Sequence, residues 1–148
     1  MIAHTGRFGA VEVDDHRIVT FPSGLPGFAG LRRFALLWAD AREIFWWLQS
    51  IEDPSVCFLA TDPALWVADY AIDLRADEWN RLGCRNRDEV VVLALVSRHG
   101  DRITANLRSP LVIDAGSRRG LQVVGGDSPW SLRHDLVSVE APALAGIA

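Results

Sequence analysis

The chain has 148 residues, 49% of them hydrophobic and 23% charged, which suits one globular domain that holds together without disulfides or a structural metal, since a fold of this size buries roughly 70% of the surface its unfolded chain exposes. Its net charge is −4 and all 15 basic residues are Arg, adjacent to one another only at Arg32–Arg33 and Arg118–Arg119; this excludes the basic stripe that phosphate binding requires and favours a basic protein partner. Two cysteines exclude a disulfide scaffold, and the chain shows neither a signal-peptide pattern nor an apolar run near the ~20 residues of a membrane span, so a reduced, cytoplasmic protein away from the membrane is expected.

Short apolar segments punctuated by Gly, Pro and Asp predict strands joined by tight turns. Val11-Glu12-Val13 and Arg17-Ile18-Val19-Thr20-Phe21 flank Asp14-Asp15-His16, and the turn-forming Asp residues predict a first hairpin there. In Phe21-Pro22-Ser23-Gly24-Leu25-Pro26-Gly27-Phe28 two Pro and two Gly exclude helix and central strand, so an ordered loop is expected, anchored by Phe21, Leu25 and Phe28. Phe34-Ala35-Leu36-Leu37-Trp38 and residues 45–50 (FWWLQS) predict two aromatic strands, and the Asp53-Pro54 and Asp62-Pro63 corners bracket a third over 56–61.

Residues 65–72 alternate with a period of two and predict a half-buried strand. Residues 76–83 predict the one helix, about two turns long, with acids in its first turn, Trp79 and Leu82 on one side and Gly83 as the stop. The continuously apolar, β-branched run 90–96 predicts a central strand that pairs through Gly100-Asp101 with a strand from Ile103 to Leu107, and Leu111-Val112-Ile113 pairs with Leu121-Gln122-Val123-Val124 across a wide turn. The expected architecture is mostly β, a single domain over 1–136 with one short helix, followed by a C-terminal tail over 137–148 that frays.

Chemistry finds little support. No Cys-x-x-Cys or His-Glu-x-x-His spacing is present, and His4, His16, His99 and His134 lie far apart beside turn or terminal residues, so no metal site is assigned. There is no Gly-x-Ser-x-Gly elbow; Cys57 sits in an apolar run where burial keeps a thiol inert, and Cys84, near Arg81, Arg85 and Arg87, is the more reactive thiol. Gly6-x-x-Gly9 and Gly24-x-x-Gly27 lack the rest of a dinucleotide fingerprint. Adjacent acids such as Asp14-Asp15 or Glu52-Asp53 would point to opposite faces of a strand rather than share a proton. No cofactor is expected and no catalytic residue is assigned. Six Trp are present; Trp38, Trp46, Trp47, Trp66 and Trp79 are expected to pack in the core, except that only one of the adjacent Trp46 and Trp47 can face it, which makes the other an anchor candidate.

Taken in order, three blocks resemble one family. Ile18-Val19-Thr20-Phe21-Pro22-Ser23-Gly24-Leu25-Pro26-Gly27-Phe28 with Leu31 and Arg33-Phe34 is similar to the opening signature of FliW proteins. Phe45-Trp46-Trp47-Leu48-Gln49-Ser50-Ile51-Glu52-Asp53-Pro54 and Thr61-Asp62-Pro63 resemble their second. Residues 105–114 and 119–124 resemble their C-terminal strand pair, and Arg133-His134 their close. The resemblance spans about residues 8 to 136 and implies a flagellar assembly factor that binds flagellin and antagonises the RNA-binding translational repressor CsrA, coupling flagellin synthesis to assembly, on a mostly antiparallel barrel-like fold. The Arg-rich stretches around 74–77 and 83–88 depart from the acidic character of that family.

The expected function is therefore protein binding by a chain that is monomeric when free and contacts no nucleic acid directly. Its expected surface is the aromatic and acidic stretch carrying Trp46, Trp47, Gln49, Ser50, Glu52, Asp53 and Asp62, because acids beside aromatic anchors can steer and then hold a basic or amphipathic partner. The alternative is a small β-barrel single-stranded nucleic-acid-binding protein, in which exposed aromatics would stack on bases.

Overall fold

The structure is a computed structural model that describes residues 1–124 and 128–136; the tail over 137–148 lies outside the described residues. The elements in chain order are β1 (Ile2–Thr5), β2 (Gly9–Glu12), β3 (Ile18–Thr20), β4 (Arg33–Trp38), β5 (Phe45–Ser50), β6 (Cys57–Thr61), α1 (Ala76–Leu82), β7 (Val90–His99), β8 (Arg102–Ala105), β9 (Leu111–Asp114), β10 (Arg119–Gln122) and β11 (His134–Asp135).

Seven strands close into a barrel. β7, β6, β5, β4, β3, β10 and β9 follow one another by hydrogen bonding, and β9 returns to β7. The ten-residue β7 makes closure possible, because its first part pairs with β9 (Val90↔Asp114 to Leu93↔Leu111) and its last part with β8 (Val96↔Ala105 to His99↔Arg102). All these ladders are antiparallel except β3 with β10, which meet in parallel at the single step Thr20↔Arg119. Strand alternation sends Val19, Phe34, Leu48, Ala60, Leu93 and Ile113 into the barrel, where they form one buried cluster with Phe21 and Leu25 of the loop.

The outside of the barrel is covered in three places. The β1–β2 hairpin lays Ala3 and Val13 on Ala35. Residues 62–72 and 130–136 cover Phe45, Trp47, Leu59, Ala94 and Val96. Helix α1 lays Leu82 and Trp79 on Val112 and Leu121; Glu78 accepts from the Arg75 N–H at 2.9 Å at its start, and Gly83, at φ 67°, ends it in the left-handed conformation.

The β4–β5 pair, β6, the helix, the β7–β8 turn and the β9–β10 pair match the sequence reading. Two elements correct it. The hairpin expected between 11–13 and 17–21 does not form, because β2 pairs back with β1 (Ile2↔Glu12 to Thr5↔Gly9) and Val13 N–H donates to the Met1 carbonyl at 2.8 Å. Residues 15–17 wind into a 3-10 turn instead, and β3 pairs with β4.

The strand expected over 65–72 is also absent. Asp62 accepts from Ala64 N–H at 2.9 Å and Pro63 opens a 3-10 turn over Pro63–Leu65, so the chain coils before the alternation can be used. Its aromatic residues become anchors: Trp66 Nε1 donates to Thr61 Oγ1 at 3.0 Å and Tyr70 OH to the Leu107 carbonyl at 2.8 Å.

The loop over 21–28 owes its shape to glycine. Gly24 has φ 68°, and a Cβ there would lie 2.6 Å from the Ala29 carbonyl oxygen, whereas Gly27, at φ 84°, has open space around it. Gly24→Ala is therefore expected to cost about 2 kcal/mol or more, from left-handed strain plus a backbone clash, and Gly27→Ala about 1 kcal/mol from strain alone. Urea unfolding of the two variants checks the order; equal midpoints would refute the clash.

Candidate interaction surface

The site begins with the alternation of β5. Phe45, Trp47 and Gln49 point to the covered outer face, while Trp46 and Leu48 point inward. Trp46 stands opposite Trp38 at the end of β4, so both project at one mouth of the barrel, where their rings stack with centroids 3.3 Å apart and planes at 26°. The Arg17 guanidinium lies 5.9 Å from the Trp46 ring. Trp38 is 38% exposed, which corrects the expectation that it is a core residue. Beside it runs a groove of about 310 Å³ lined by Glu12, Asp14, Arg17, Leu36 and Trp38 among others.

The exposed Trp38 stacked on the half-buried Trp46 lies beside Asp14, Arg17 and Glu12, the last ion-paired with the Met1 ammonium at 3.7 Å, which combines apolar area with mixed charge. Such a surface can hold an apolar side chain on the ring face and a polar one at its charged rim. In the sequence Trp38 and the acids of residues 12 and 14 gave no sign of proximity, because the two segments meet only when β3 pairs with β4.

The other expected surface residues fall elsewhere. Trp47 is buried against the outer cluster, with the Arg7 guanidinium 4.4 Å from its ring. Gln49 and Ser50 have no exposed surface at all, so their expected place on a partner-facing surface is corrected. They build the β5–β6 turn: Gln49 Nε2 donates to the carbonyls of Ser50, Pro54 and Val56 at 3.1, 3.1 and 3.2 Å, and Ser50 Oγ accepts from Asp53 N–H at 3.0 Å.

Glu52 is exposed, and its Oε1 accepts from the N–H groups of Arg32 and Arg33 at 2.6 and 2.8 Å, which pins the end of the 21–32 loop to this turn. Asp53 accepts from Ser55 N–H and Oγ, hydrogen bonds that hold its pKa below the ordinary value. Asp62 caps the 3-10 turn described above. Thus Trp46 lies at the mouth, Trp47 under the hairpin, and the acids of β5–β6 serve turns first.

Burial pushes the Cys57 thiol up to about 11, against a smaller opposing effect of Arg7, which keeps it protonated and unreactive near neutral pH. Asp114 accepts from Ser117 Oγ at 2.7 Å and Ser117 N–H at 3.2 Å in the β9–β10 turn, and these bonds lower its pKa. A carboxylate whose native pKa is lowered adds stability that is complete above the ordinary value of 3.8 and is lost as pH falls through the native one. Asp114→Asn should therefore lower stability at neutral pH and flatten its acid dependence below about pH 4. Urea midpoints across pH 2.5 to 7 test this, and an unchanged acid slope would count against it.

Among the described residues no group of three His, Cys, Asp or Glu side chains could hold a metal ion, and no helix is long and apolar enough to cross a membrane.

A family model described as FliW protein matches residues 2–136. The chain is 33% identical over 144 residues to the flagellar assembly factor FliW of Syntrophus aciditrophicus, covering 96% of this chain and 91% of that protein. It is 36% identical over 141 residues to the flagellar assembly factor FliW of Treponema pallidum, covering 93% of each. Among solved structures, a crystal structure of the flagellar assembly factor FliW superposes with a TM-score of 0.83 at 29% identity, over 92% of this chain and 96% of that one.

Proposed function

The chain belongs to the FliW family of flagellar assembly factors, and from that premise we propose that it acts in the cytoplasm as a protein-binding regulator of flagellin. It binds flagellin and, when flagellin is scarce, binds and antagonises the translational repressor CsrA; free flagellin then titrates it and closes the loop. The chain itself performs no chemistry and needs no cofactor, and it is monomeric before it meets a partner. The observation that supports this reading is the exposed Trp38 stacked on Trp46 at the mouth of the barrel, beside a groove that carries Glu12, Asp14 and Arg17, a surface suited to a partner with apolar and polar side chains.

The test is a titration of cognate flagellin into a preformed complex of this chain with CsrA, followed by size-exclusion chromatography with light scattering. Displacement of CsrA is the expected result. A stable ternary complex would refute a simple partner switch, and absence of binding to both proteins would refute the assignment. The nucleic-acid alternative has Arg17 beside the Trp pair in its favour and the net charge of −4 against it; retention on single-stranded RNA at physiological salt, falling steeply as salt rises, would favour it instead.

A further inference from the structure

A second surface of opposite character lies at the barrel seam. β3 and β10 share only the Thr20↔Arg119 step, with Thr20 N–H donating to the Arg118 carbonyl at 2.9 Å. Beyond it the chain leaves β3 for the 21–31 loop, whose backbone bonds are its own, such as Gly24 N–H to the Phe21 carbonyl and Phe28 N–H to the Leu25 carbonyl, both at 2.8 Å. β10 runs on beside that loop. Its other edge is taken: Arg119, Gly120, Leu121 and Gln122 pair with Asp114, Ile113, Val112 and Leu111, and Val123 N–H donates to the Pro110 carbonyl at 2.9 Å.

In an antiparallel ladder only alternate residues turn their N–H and C=O toward a given neighbour. The Val123 bond places Arg119, Leu121 and Val123 in the β9 ladder, so the backbone groups of Gln122 and Val124 turn to the seam. Among the described residues no backbone hydrogen bond reaches them from the loop. Between loop and strand opens a cleft of about 410 Å³, walled by Pro22, Leu25, Leu121 and Val124 and carrying Arg81 of α1 and Arg119 of β10. Among the described residues no acid lines it and neither guanidinium forms an ion pair. In a chain of net charge −4 this is, among the described residues, a local excess of positive charge beside a strand edge that the loop leaves unbonded.

We propose that this cleft receives an extended segment of a partner protein that adds as a strand along β10 and alternates acidic with aliphatic side chains. Strand addition satisfies the backbone groups of Gln122 and Val124 that no described residue of the loop bonds. Period-two alternation sends the acids of the added strand to the side of Arg119 and Arg81, and its aliphatic residues toward Leu25 and the barrel interior. The seam is separate from the aromatic mouth, so the surface can be occupied independently of whatever the Trp pair holds.

The probe is a fluorescent hexapeptide of alternating Val and Glu, blocked at both ends so that only side chains carry charge, titrated with the full chain and read by anisotropy. The companions are the Val and Lys peptide and the Val and Glu peptide N-methylated at alternate residues. Binding of the acidic peptide is expected, weakened at least tenfold by Arg81→Glu or Arg119→Glu, weakened as salt rises, and weakened at least tenfold by N-methylation. Arg81→Gln and Arg119→Gln repeat the test with a milder change, and melting curves identify variants that stay folded. Trp38→Ala should leave the peptide affinity unchanged, which separates failure of this site from failure of the aromatic mouth. The proposal is overturned by any of four results: no binding of the acidic peptide, equal binding of the Lys peptide, indifference to both Arg substitutions, or indifference to N-methylation. Self-association of the chain that the Arg substitutions abolish would also overturn it, by assigning the face to a second copy.

Discussion

Trp38→Ala is expected to weaken binding of the proposed partners, flagellin or CsrA, by about 30-fold, and the Trp38→Ala/Trp46→Ala pair by more, since an exposed aromatic at an interface centre is worth about 2 kcal/mol or above when truncated. The stacked geometry explains why the two act together: with centroids 3.3 Å apart, the exposed Trp38 rests on the face of Trp46, so removing either ring takes away part of the same aromatic surface. The single Trp38 variant is the cleaner probe. Trp46 packs against the interior cluster, so its loss also costs stability, and isothermal titration must be read beside a melting curve. A folded Trp38→Ala protein with unchanged affinity for both partners would remove the aromatic mouth from the binding surface.

Phe21→Ala carries the largest expected loss of stability, about 3 to 5 kcal/mol, against the roughly 5 to 15 kcal/mol by which such domains are stable. Phe21 has no exposed surface, meets Phe34 edge-on at 5.7 Å, and fills the space that glycine leaves at position 120. A Cβ at Gly120 would lie 2.7 Å from Phe21 Cε1 and 3.2 Å from Ile113 Cγ1. Gly120→Ala is therefore expected to overpack the seam by about 1 to 3 kcal/mol. Combining it with Phe21→Leu should cost less than the sum of the two, because the smaller side chain vacates the contact. Urea denaturation of the two single variants and the double variant completes the cycle; strict additivity would mean that ring and glycine do not share the strain.

These two effects show where sequence reading succeeds. Phe21 could be read as a loop anchor because Pro22, Gly24, Pro26 and Gly27 around it leave no regular structure to compete. The strands over 34–38, 45–50, 56–61 and 90–96 declare themselves through length, β-branching and Asp-Pro corners, and the helix through its acids, apolar side and Gly83. The N-terminal pairing went astray because Val11-Glu12-Val13 fits two partners equally well in pattern, and only the three-dimensional approach of residues 2–5 decides between them. The 65–72 segment misled because an alternating pattern is also what irregular chain shows when a few aromatics reach a surface. The Asp62 cap and Pro63 decide it locally.

The candidate site was legible only in part. Strand alternation separates Trp46 from Trp47, and the sequence states that separation. Gln49 and Ser50 were read as surface because polar side chains usually are; their burial follows from a turn that supplies three carbonyls to one amide. By itself the sequence determined the class of fold, most strand positions, the loop and the family resemblance, all of which rest on neighbours in the chain or on ordered blocks. Barrel closure, the meeting of Trp38 with Trp46 and with Glu12 and Asp14, and the cleft that brings Arg81 to Arg119 were decided by tertiary structure alone. Each depends on which strand lies beside which, and local chemistry cannot encode that pairing because the energy that selects it comes from residues tens of positions apart.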